Sequence, residues 1–109
     1  MKLVIAMVQD DDALDVIENV TEGGFRVTKL ASTGGFLKSG NTTLIIGVEA
    51  KRVDSVLGII EETCKTRKQI VTTTTPITGN TDMFMSYPLE VEVGGATIFV
   101  VDVDKFVRV

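Results

Sequence analysis

The sequence predicts an α+β domain in which a single sheet is covered on one face by two helices. Three observations carry that expectation: two stretches with apolar residues at helical spacing, several β-branched runs of strand length bounded by glycines, and a chain order of β-α-β-β-α-β. At 109 residues there is material for one core, so residues 1–109 read as one domain. Hydrophobic residues at 44% and charged residues at 24% match a folded globular chain and argue against a disordered one.

Met1 to Gln9 is apolar and β-branched without alternation, as in a central strand covered on both faces or lying at an interface. Asp10, Asp11 and Asp12 then place carboxylates at N-cap and first-turn positions, and Ala13, Val16, Ile17 and Val20 recur at helical spacing until Gly23-Gly24. Phe25 to Ser32 reads as a second strand with one polar face. Thr33 to Asn41 reads as a glycine-punctuated loop carrying Phe36 and Leu37, and Thr42 to Val48 as a third strand. Val53, Val56, Leu57, Ile60 and Cys64 form the apolar stripe of a second helix. Thr66 to Tyr87, rich in threonine and holding the Met83-Phe84-Met85 cluster, reads as a long loop after a short extended piece. Leu89 to Val93 and Ala96 to Val103, separated by Gly94-Gly95, read as a hairpin, and Phe106 to Val109 as a last short strand. Taken together the expectation is a ferredoxin-like βαββαβ sandwich with an extra C-terminal hairpin or strand, its second sheet face free to meet other subunits.

Composition removes several functions. The net charge of −4, without a lysine or arginine block, argues against nucleic acid or an anionic membrane surface as partner. Cys64 is the only cysteine, so no intrachain disulfide or thiolate metal site is expected. The apolar run Leu3 to Val8 is too short for a spanning helix, and the expected location is cytoplasmic. With no histidine, imidazole acid–base catalysis and the common zinc ligand sets are absent, and no nucleophile-elbow, P-loop or dinucleotide-fold signature occurs. An acylphosphatase-like anion cradle would need cations where Gln9 to Asp12 stand, and an RNA-recognition motif would need more strand aromatics than Phe99. Asp102 and Asp104 share a strand face by alternation and read as a solvated charge ladder. The chain is read as a non-enzyme with neither cofactor nor metal.

A constellation remains around the first loop. Arg26 can pair with a phosphate, Thr28 lies on the same strand face, the Asn41 amide can both donate to and accept from an adenine edge, and Phe36 or Leu37 can cover a ring. Gly35 and Gly47 permit close backbone approach. The same residues also fit a solvated strand face whose Phe36 packs on its own domain, and spacing does not separate the two readings.

The runs Arg26-Val27-Thr28, Thr33-Gly34-Gly35-Phe36-Leu37, Gly40-Asn41-Thr42-Thr43-Leu44 and Gly47-Val48 resemble the PII-like cyclic di-AMP receptor family, and the likeness extends over essentially the whole chain. The short first loop and long second loop invert the proportions of ordinary PII proteins. The resemblance implies a homotrimer with one cyclic di-AMP in each cleft between neighbouring subunits. It assigns Asn41, Thr28 and the Gly47 backbone to a buried adenine, Phe36, Leu37 and Phe99 to its walls, and Arg26 to the phosphate–ribose ring, with Gly35 and Arg108 completing the set. Glutamine is familiar in the family where Arg108 stands, and a guanidinium, having no acceptor, cannot copy an amide's pattern. The implied mechanism is a ligand-driven shift in loop arrangement that creates or hides a surface for an unidentified downstream protein. Met83-Phe84-Met85 fits either that surface or packing within the trimer. Two other readings stay open: a PII-like regulator answering ATP, ADP or another metabolite, and a structural trimer without a ligand.

Overall fold

The computed structural model describes residues 1–35, 38–76 and 84–109. Its elements are β1 (Lys2–Gln9), α1 (Asp10–Glu22), β2 (Val27–Gly35), β3 (Lys38–Val48), a 3-10 turn (Ala50–Arg52), α2 (Val53–Thr63), β4 (Arg67–Pro76), β5 (Phe84–Val93) and β6 (Ala96–Asp102). The main sheet has the order β2-β3-β1-β6, every neighbouring pair antiparallel. β1 and β2 flank β3 and are joined through α1, while β3 and β6 flank β1 and are joined through α2 and the ribbon that follows it, so two split β-α-β units interlock as in a ferredoxin-like fold.

Alternation along the central strands decides which face is covered. Val4, Ala6 and Val8 of β1 stand beside Ile46, Leu44 and Thr42 of β3, and all six are buried. Onto them pack Ala13, Val16 and Val20 from α1, and Val56 and Ile60 from α2 with Cys64 at its C-cap, at the spacing of one helical stripe. The opposite face carries Leu3, Ile5 and Met7 of β1 beside Gly47, Ile45 and Thr43 of β3, with Phe99 and Val101 of β6 exposed next to them. β1 is therefore apolar on both sides although only one side is covered within the chain.

Four expectations are corrected. Thr66 to Tyr87 is not chiefly loop: β4 and β5 pair residue by residue from Arg67 with Val93 to Pro76 with Phe84, forming a two-stranded ribbon inserted before the last sheet strand. Val and Thr, both β-branched, sustain this pairing where the threonine-rich composition read as irregular. Gly94-Gly95 is not a hairpin turn, since β5 pairs with β4 and β6 returns to the far side of β1. Both glycines have positive φ, +91° and +88°, and make a corner that sends the chain from ribbon to sheet. Residues 103–109 form no strand, and the segment after Ser32 continues as ladder to Gly35, opposite Lys38, with the predicted Phe36 and Leu37 outside the described residues.

A compact polar joint fixes the ribbon's base. Asp12, buried in the first turn of α1, accepts from Arg67 Nη2 at 2.8 Å. Gln9 Oε1 accepts from the Gly94 amide at 2.8 Å, and the Gly95 amide donates to the Cys64 carbonyl. Gln9 is the N-cap of α1, so the three aspartates occupy the first turn, where they complement the helix dipole.

Candidate functional site

On the uncovered sheet face a cleft of about 480 Å³ opens at the end of the sheet where β1 begins and β3 ends. Thr28 and Ile45 are cross-strand partners, as are Gly47 and Leu3, and these form its floor. The C-terminal segment provides the opposite wall through Val103, Phe106, Val107 and Arg108. That segment is tied down where the Val103 amide donates to the Met1 carbonyl at 3.2 Å. Gly47 keeps the floor low, because a Cβ there would meet only the Met1 sulfur, at 4.0 Å.

The chemistry of the lining is apolar with two permanent cations, Arg26 and Arg108, and no carboxylate. Such a mixture suits a ligand that pairs a flat apolar body with anionic groups, since guanidinium forks match phosphate oxygens and Ile45, Leu3 and Phe106 supply dry contact area. Thr28 adds a hydroxyl that can donate or accept.

The structure thus brings together four predicted site residues, Arg26, Thr28, Gly47 and Arg108. It does not bring the others to them within one chain. Asn41 lies on the same face of β3 as Gly47 but six positions away, about 20 Å along the strand, opposite Gln9 on one side and Thr33 on the other. Gly35 is near the tip of the β2–β3 hairpin, opposite Lys38. Phe99 stands opposite Ile5, two strands from Ile45 and about 10 Å away laterally, half exposed and outside the cleft lining. Phe36 and Leu37 lie outside the described residues.

Leu3, Ile45, Phe106 and Val107 are cleft residues that the sequence reading did not name. Their signal was present in the apolar alternate positions of β1 and β3 and in a C-terminal apolar run that read as a short strand but joins no sheet. Asp102 and Asp104, read as a pair on one strand, are separated by the end of β6. Asp102 is ion-paired with Lys2, whose ammonium holds its carboxyl below the usual range. Among the described residues no group of three or more acidic, cysteine or histidine side chains could hold a metal.

A recess of about 520 Å³ on the helix side, between α2 and β6, is lined by Leu57, Cys64, Ile98 and Val100 with Glu61 and Lys65 at its rim. It contains none of the predicted residues, and opposite charges at its mouth give it no preference for an anion. No helix among the described residues is long and apolar enough to cross a membrane.

The sequence profile of the cyclic-di-AMP receptor family matches residues 1–109. The chain is also similar to a crystal structure of a functionally unknown protein from Pediococcus pentosaceus ATCC 25745, at 46% identity and a TM-score of 0.76, covering 99% of this chain and 96% of that one.

Proposed function

This chain belongs to the cyclic-di-AMP receptor family, which is PII-like, and we propose that it is a sensor binding cyclic di-AMP between subunits of a homotrimer. The observation that carries this reading is the division of the candidate residues into two groups on one uncovered face. Arg26, Thr28, Gly47 and Arg108 line the cleft, while Asn41 and Gly35 sit at the far end of the same hairpin. A site using both groups needs one from each of two neighbouring subunits. In this arrangement Arg26 and Arg108 face the phosphates, Thr28 and the Gly47 backbone meet one adenine from below, and the neighbour's Asn41 reads its edge, with Phe36, Leu37 and Phe99 closing the walls.

The uncovered face fits such an assembly. Leu3, Ile5, Ile45, Phe99 and Val101 form an apolar surface whose burial against equivalent faces drives association. Membership of a receptor family supports binding in place of catalysis, and the same membership does not favour a regulator answering ATP or ADP. Ligand contact at the β2–β3 tip and at the C-terminal wall shifts the population of segment arrangements, and a downstream protein reads the result. A cytoplasmic location supports this reading, since a nucleotide messenger and a lone reduced cysteine are both at home there.

Calorimetric titration with cyclic di-AMP, using cyclic di-GMP and ATP as comparators at the same salt, tests the reading. Saturation near one ligand per subunit, at least about tenfold tighter than either comparator, is the expected outcome. Asn41→Ala is expected to weaken cyclic di-AMP binding by about 1–3 kcal/mol. Absence of binding up to millimolar ligand would sink the proposal.

A further inference from the structure

Beside the cleft, and sharing Met1, Arg26 and Gly47 with it, lies a second recess of about 360 Å³. Two turns build its far wall: Gly23-Gly24 after α1, and the 3-10 turn that carries Lys51 and Arg52. Phe25 is buried at its base, and the Arg52 guanidinium lies over the ring, 4.1 Å from its centroid. Arg52 Nη2 also donates to the Gly23 carbonyl at 3.2 Å. Stacking and hydrogen bond together fix the guanidinium plane while using one of its five N–H donors, so the remainder can serve a ligand. Gly24, at φ +90°, presents bare backbone here, with Arg52 Nη2 as the nearest atom to an added Cβ, at 3.8 Å.

Charge sets this recess apart from the rest of the chain. Three cations, Arg26, Lys51 and Arg52, face one carboxylate, Glu49, whose oxygen is 3.6 Å from Lys51 Nζ. Within a chain of net charge −4 this is a local reversal of sign in a concave surface, which concentrates anions. Arg26 makes no ion pair or hydrogen bond among the described residues. Burying Phe25 requires no cation above it, and an exposed arginine held in one plane beside two more cations has the form of an oxyanion receptor.

We propose that this recess is a separate anion site taking a phosphate or diphosphate group, held by Arg52 and Lys51 and joined to the neighbouring cleft through Arg26. One guanidinium cannot face both ligands fully, so anion occupancy opposes cyclic di-AMP binding and the opposition is reciprocal. The site itself stands independently of the cyclic di-AMP reading, and only this coupling rests on it.

The test is a titration of the full chain with inorganic diphosphate at low ionic strength, followed by calorimetry, with no dinucleotide present. Saturable binding that weakens about tenfold in Lys51→Gln and in Arg52→Gln, yet is unchanged in Lys68→Gln on the distant ribbon, is expected. Lys51 is largely exposed, so its variant remains informative even if loss of the stacked arginine unfolds the chain. Adenosine diphosphate in a parallel arm identifies the source: equal affinity assigns the site to a free anion, tighter binding to the phosphate end of a nucleotide. No saturation with diphosphate, or equal weakening in all three variants, would overturn the site. Undiminished cyclic di-AMP affinity at saturating diphosphate would overturn the coupling alone.

Discussion

Cys64 ends the apolar stripe at the C-cap of α2 and is only 2% exposed, although it borders the recess between α2 and β6. Burial first, and the nearby Asp12 carboxylate second, push its thiol up to about 11, against an ordinary value of 9.0, with Arg67 opposing. At pH 8 on the order of one molecule in a thousand then carries the thiolate, and the residue is also little exposed. Iodoacetamide is therefore expected to leave the native chain unmodified over hours and to label it rapidly in urea, as read by intact mass. Linkage gives the pH dependence a definite sign. Below pH 9 both states keep the proton and stability is unaffected; between about 9 and 11 the unfolded chain loses it while the folded chain retains it, so stability falls as pH rises. Urea midpoints measured from pH 8 to 11 are expected to decline more steeply for the natural chain than for Cys64→Ala. A parallel decline would place the alkaline loss elsewhere.

The same thiol borders the joint that orients the ribbon, and there the elements diverge most from what the sequence conveyed. Periodicity located α1 and α2 to within a residue or two, because a buried stripe must repeat every three or four positions whatever lies around it. Strand pairing is not local in that sense. Two β-rich runs joined by Gly94-Gly95 satisfy the composition of a hairpin, yet their partners are β4 and β1, and only tertiary placement reveals this. The corner explains the glycines better than a hairpin does. A Cβ at Gly94 would lie 2.6 Å from the Lys65 carbonyl oxygen and 3.0 Å from that of Cys64, at φ +91°, whereas at Gly95 the nearest atom is the Thr66 hydroxyl oxygen at 3.3 Å. Gly95→Ala is thus expected to lose about 1–3 kcal/mol through backbone strain alone, and Gly94→Ala more, since backbone must move as well. Chemical denaturation of both variants checks the order. Equal losses would mean that the Lys65 and Cys64 carbonyls yield freely.

At the scale of the molecule, β1 carried a message that a single chain does not use. Its apolar residues on both faces read as a strand covered on both faces or lying at an interface, and Leu3, Ile5 and Met7 lie on the face no helix covers. Candidate residues show the same incompleteness: Arg26, Thr28, Gly47 and Asn41 were legible from residue chemistry around the first loop, yet register brings only the first three to the cleft, while Phe99 and Arg108 were legible only through family likeness. Both features follow if three copies, together about 35 kDa from subunits of 11.8 kDa, close this face against one another. Ile5→Glu separates assembly from chemistry. The substitution sits between Ile45 and Phe99 on the uncovered face and removes no proposed ligand contact, so the monomer keeps its helix-side core and its circular dichroism. Buried in a trimer, however, three unpaired carboxylates would converge, and such charges oppose association strongly. Light scattering is expected to show a trimer for the natural chain and a monomer for the variant, with cyclic di-AMP affinity reduced at least about a hundredfold although Arg26, Thr28 and Asn41 remain in place. Val101→Glu, on the same face and already 42% exposed, provides a second route if Ile5→Glu does not fold. A folded monomer that still binds with undiminished affinity would show that one chain assembles the whole site, and would require the hairpin tip to approach its own cleft across some 20 Å of sheet.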